Sequence, residues 1–86
     1  MTITTEPLFD GGRFRLYENR VEEDRIGWLG RVKRTDVTYY SDITATRLSG
    51  RMLILTRSGL RTNVVLQFKR KEHARLALDI INAHRV

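Results

Sequence analysis

The chain predicts a mainly β domain closed by one C-terminal α-helix, and three observations carry that expectation. Short segments of alternating or β-branched apolar residues follow one another along most of the length. Turn signals separate them: Asp10-Gly11-Gly12, Glu18-Asn19, Gly27-Trp28-Leu29-Gly30, Ser41-Asp42, Ser49-Gly50 and Ser58-Gly59. After Lys71 the apolar period changes, with Ala74, Ala77, Leu78 and Ile81 at the i, i+3, i+4, i+7 spacing of an amphipathic helix.

Residues 1–9 read as a flexible or weakly held tail and residues 10–86 as a single domain. The first strand begins at Arg13, where Phe14 and Leu16 share one face and Arg13, Arg15 and Tyr17 the other. Glu18-Asn19 forms a tight turn, with asparagine suited to positive φ. The next segment carries Val21, Glu22, Glu23, Asp24 and Arg25; so polar a strand is expected at an edge or facing solvent. Gly27 to Gly30 ends it.

Arg31 to Tyr40 is rich in strand formers: Val32, Thr35, Val37, Thr38, Tyr39 and Tyr40. Ile43 to Leu48 forms a fourth strand. Arg51 to Arg57 is almost continuously apolar around Met52-Leu53-Ile54-Leu55, which predicts a central position. Arg61 to Lys69 forms a sixth, with Val64, Leu66 and Phe68 on one face. The helix runs from Lys71 to about His84, its stripe widened by Leu76, Ile80 and Ala83. Antiparallel strands joined by short turns curl by their own twist. The helix is then the element left to plug the open end.

The residues resemble the bacterial pleckstrin-homology-like (PH-like) domains over roughly positions 10 to 84. The resemblance rests on Val37-Thr38-Tyr39-Tyr40-Ser41-Asp42-Ile43-Thr44, on Met52-Leu53-Ile54-Leu55-Thr56-Arg57-Ser58-Gly59, on Val64-Val65-Leu66-Gln67-Phe68 and on the closing helix. Phe14-Arg15-Leu16-Tyr17-Glu18-Asn19-Arg20-Val21 resembles the family's opening hairpin. It implies a partly open antiparallel barrel of six to seven strands capped by the helix, and a binding scaffold rather than an enzyme. Relatives that bind phosphoinositides use a basic motif in the first hairpin loop. Here that loop is Glu18-Asn19-Arg20, which lacks it, so phosphoinositide binding is not carried over.

Composition bounds the function. The chain has no cysteine, which excludes disulfides, a thiol nucleophile and a zinc–thiolate site. The absence of disulfides in so small a domain leans towards the cytoplasm, and the family resemblance implies a bacterium or its phage. The N-terminus does not read as a signal peptide, and no apolar run is long enough to span a bilayer. His73 and His84 are the only histidines, and their spacing fits neither a metal pair nor a triad. The acidic run Glu22-Glu23-Asp24 alternates faces. Gly11-Gly12 and Gly27-x-x-Gly30 match no phosphate loop. No active site and no cofactor are expected.

The net charge of +6 favours an anionic partner or is a solvated surface. Binding to a protein or peptide, or to another copy, is the leading expectation. Polar edge strands accept added strands, and aromatic and arginine side chains dominate contact energetics. The candidate contact residues are Trp28, Arg31, Lys33, Arg34, Tyr39 and Tyr40. An anionic membrane is the first alternative, with Trp28 inserting at the interface; the expected place for Trp28 is nonetheless packed at the mouth of the barrel. Nucleic acid, through these cations and Lys69-Arg70-Lys71, is the second.

Overall fold

The computed structural model describes residues 6–59 and 62–85. Its strands are β1 (Phe9–Asp10), β2 (Phe14–Leu16), β3 (Arg20–Ile26), β4 (Val32–Tyr39), β5 (Ile43–Ser49), β6 (Met52–Arg57) and β7 (Val64–Gln67). A 3-10 turn (Tyr40–Asp42) separates β4 from β5, and helix α1 spans Lys71–His84. The strands form two antiparallel sheets, in the orders β1-β2-β3-β4 and β5-β6-β7. The curled sheet expected from the sequence is thus split in two at the 3-10 turn, and the strands do not join into a closed barrel.

Alternation places the core. Phe14 and Leu16 pair with Glu23 and Val21. Leu53 and Leu55 pair with Leu66 and Val64. All but Glu23 are buried, together with Tyr40, Ile43, Phe68, Ala74, Ala77 and Ile81. Each fully buried side chain of Leu or Ile size contributes roughly 1.5–3 kcal/mol relative to exposure. The helix packs on β2 of one sheet and on β5 and β6 of the other. Ala74 and Ala77 are fully buried there, and their small side chains let the helix backbone come close to both sheets. Leu78 and Ile80 flank that seam. Leu76 and Ala83 lie outside it and stay exposed, so the stripe is narrower than expected.

β6 takes the central place that its apolar run predicts. β3 does not take the edge: it lies between β2 and β4. Its carboxylates are tolerated there because arginines meet them. Arg15 grips Asp24 with two hydrogen bonds of 2.8 and 3.1 Å. Arg20 Nε reaches Glu22 at 2.7 Å. Such pairing offsets the desolvation that isolated acids would suffer.

The expected tail joins the fold at its last residues. Phe9 pairs with Leu16 and Asp10 with Arg15, and the Leu8 N–H donates to the Leu16 carbonyl at 2.7 Å. The Phe9 ring meets Phe14, Phe68 and His73 at centroid distances of 6.3, 5.7 and 5.6 Å. Apolar aromatic packing of this kind is what fixes so short a strand. Residues 1–5 lie outside the described residues, as does Arg61, where the sixth strand was expected to start; β7 is described from Val64. Asn19 does not use positive φ: among the described residues only glycines do.

Candidate functional site

The β3–β4 hairpin is the longest among the described residues and carries most of the residues singled out above. Ile26 pairs with Val32, after a register shift between Arg25 and Ile26. Residues 27–31 close the turn. The Gly27 N–H donates to the Arg31 carbonyl at 2.8 Å and the Gly30 N–H to the Gly27 carbonyl at 3.0 Å. Gly30 has φ 77°, a left-handed conformation that glycine adopts without steric cost. The turn is therefore held by its own backbone, and its side chains are free to point outward.

Trp28 is 94% exposed and Leu29 66%. Trp28 does not pack at the mouth of a barrel, because the tip extends past the core and offers it nothing to pack on. Ile26 and Val32 are exposed behind it. Four large apolar side chains thus share one projecting tip. Isolated exposed apolar residues are ordinary; a cluster marks an interaction surface.

Cations ring that apolar end. Arg25, Arg31, Lys33 and Arg34 all fall within residues 25–34, a stretch with no acidic residue. Arg25 and Arg34 share Asp36, with contacts of 2.5 and 3.1 Å. Arg25 also reaches Glu23 at 3.6 Å. The hydrogen bond from Arg25 holds the Asp36 carboxyl below its usual pKa, aided by the charges of Arg34, Arg25 and Arg57. Burial pushes Glu23 the other way, against the pull of Arg25. Arg31 and Lys33 are exposed and form no ion pair among the described residues.

Of the six residues expected to form one contact surface, Trp28, Arg31, Lys33 and Arg34 come together at the tip. Tyr39 does not join them: it is half-exposed at the far end of β4, seven residues beyond Val32, or about 23 Å along an extended strand. Tyr40 is not a surface residue at all. It is 1% exposed, and its hydroxyl donates to the Tyr17 carbonyl at 2.6 Å. Burial raises its pKa far above that of a free phenol. Tyr39 ends β4 facing outward, and the 3-10 turn that follows directs Tyr40 into the core. Ile26, Leu29 and Val32 were missed as site residues. The signal for them was present in the apolar residues flanking Gly27 and Gly30.

Away from the tip, a concavity of about 880 Å³ opens between the β1–β2 end and β7. Phe9, Phe14, Phe68 and His73 line it, with Arg13, Lys69 and Glu23 at its rim. Both histidines have structural contacts: His73 lies edge-on to Phe9, and His84 Nδ1 is 2.8 Å from the Ile80 carbonyl. Lys69-Arg70-Lys71 sits at the β7–α1 junction, on different elements from the tip cations. No helix among the described residues is long and apolar enough to cross a membrane. Comparison with protein-family models, with curated proteins and with solved structures finds no match.

Proposed function

We propose that the chain is a non-enzymatic, PH-like interaction module that docks through the tip of its β3–β4 hairpin. The observation that carries this reading is the 94% exposure of Trp28 on a turn whose own backbone is hydrogen-bonded. An aromatic side chain of that size covers roughly 150–250 Å² on burial. Removing that apolar surface from water favours whatever covers it. The turn that carries it is already held by its own backbone hydrogen bonds, so the cost of ordering that backbone on docking is small.

The seven antiparallel strands and the C-terminal helix among the described residues support the mainly β part of this reading. The absence of a catalytic role is supported by the engagement of the candidate groups: Glu22, Glu23, Asp24 and Asp36 are paired with arginines, and both histidines with their own fold. A protein or peptide partner, a second copy and an anionic membrane all fit an apolar tip. The cations around it favour the membrane as a second reading beside protein binding. Nucleic-acid binding gains less, since its two basic clusters lie on separate elements.

A photoreactive amino acid at position 28, introduced in the organism that makes the protein, tests the docking element. Adducts with protein or lipid are expected from position 28 and not from position 72, an exposed site on the helix. Equal or absent labelling at both positions rejects the tip as the docking element.

A further inference from the structure

We propose that the tip of the β3–β4 hairpin inserts into the surface of an anionic lipid bilayer. This rests on the tip being the docking element and names what it docks to.

The order of chemistry along the hairpin carries the inference. Trp28 and Leu29 are outermost. The Ile26–Val32 pair follows. Arg31 lies in the turn itself, beside Trp28 and Leu29, and Lys33 and the Arg25–Arg34 pair back the apolar end. The carboxylates come last, at the Asp24–Thr35 and Glu23–Asp36 pairs, about 10–13 Å behind Val32 along the strands. An anionic bilayer presents phosphates first and hydrocarbon just beneath. A tip entering it puts its apolar side chains deepest and the unpaired cations Arg31 and Lys33 within reach of the phosphates, with the ion-paired Arg25, Arg34 and Asp36 behind them. Indole rings favour the headgroup region, and each cation near an anionic leaflet strengthens binding about fivefold.

Two further features fit. The hydrogen bonds of the Gly27 and Gly30 N–H groups within the turn mean that these donors need not be stripped of water on insertion. The tip also projects, and a projecting apolar end fits a fluid surface without a preformed partner pocket. A protein partner would need a pocket matched to both Trp28 and Leu29.

Trp28 is the only tryptophan in the chain, so its fluorescence reports on the tip alone. The purified full chain is mixed with phosphatidylcholine vesicles, with and without phosphatidylglycerol, at low and at physiological salt. Emission and co-sedimentation are recorded together. The expected result is a blue shift and co-sedimentation with the anionic vesicles only, persisting at physiological salt. Arg31→Gln and Lys33→Gln each weaken partitioning about fivefold. Leu29→Ser keeps the reporter and removes the blue shift. All these positions are exposed, and far-ultraviolet circular dichroism checks that each variant is folded.

Unchanged emission with anionic vesicles overturns the lipid assignment, as does equal binding to neutral ones. A blue shift that grows with protein concentration in the absence of vesicles assigns the tip to a second copy instead. Protein adducts from position 28 without vesicle binding leave the tip as the docking element and remove only the lipid. Absence of both adducts and vesicle binding removes both.

Discussion

The hydroxyl of Tyr40 donates a 2.6 Å hydrogen bond to the backbone carbonyl of Tyr17. This bond ties the 3-10 turn between the two sheets to the β2–β3 turn. The Tyr40 N–H donates to the Asn19 carbonyl at 2.9 Å in the same place. The junction of the sheets is thus pinned by one residue that is also part of the core. Tyr40→Phe keeps the ring and leaves the Tyr17 carbonyl without its partner. It should cost about 1–2 kcal/mol in urea unfolding. No loss would mean that water replaces the hydroxyl.

The same residue sets an alkaline limit. Burial raises the Tyr40 pKa in the folded state above its unfolded value of about 10. A group raised on folding contributes stability that is complete below the unfolded pKa and is lost as pH rises through the folded one. The stability of the natural chain should therefore fall above about pH 10 more steeply than that of Tyr40→Phe. Parallel slopes for the two proteins would contradict this.

Charges on β3 and β4 act at the acid end in two directions. Hydrogen bonds from Arg15 and Arg25 depress the pKa values of Asp24 and Asp36 respectively. Their contribution is present above the unfolded carboxyl pKa and is lost as pH falls through the folded values. Glu23 is raised by burial, so its contribution is present in acid and lost as pH rises through its folded pKa. Glu23→Gln is expected to raise the melting temperature at pH 7 and to leave it unchanged well below the carboxyl pKa. A lower melting temperature at neutral pH would show that the contact with Arg25 outweighs burial.

Gly11 is required by close approach rather than by its backbone angle. A Cβ there would lie 2.4 Å from the Phe14 ring. Gly11→Ala should displace Phe14 from its edge-on contact with Phe68, whose centroid is 5.0 Å away. The expected cost is about 1–3 kcal/mol, read from thermal or denaturant unfolding.

The tip should be separable from the fold. Trp28→Ser is expected to change unfolding free energy by less than about 0.5 kcal/mol, because the side chain has little to lose. Ala77→Leu, on the buried seam of the helix, is expected to cost about 1–3 kcal/mol. A large loss from Trp28→Ser would place that residue in the folded core and undo the candidate site.

Alternation at Phe14, Leu16 and Val21, the apolar run at Met52–Leu55 and the helical spacing of Ala74, Ala77 and Ile81 were enough to order the strands and the closing helix, because these patterns depend on local periodicity alone. The cations at the tip were legible for the same reason: Arg31, Lys33 and Arg34 sit beside a glycine-bounded turn. The split into two sheets, the interior place of β3 and the fate of the aromatics were decided by tertiary structure. β3 is interior because Arg15, from another strand, meets Asp24. Phe9 is held because Phe68 and His73, distant in sequence, meet its ring beside Phe14. Tyr40 is buried and Trp28 bare because burial depends on which surfaces meet: the 3-10 turn faces the core, and the hairpin reaches beyond it.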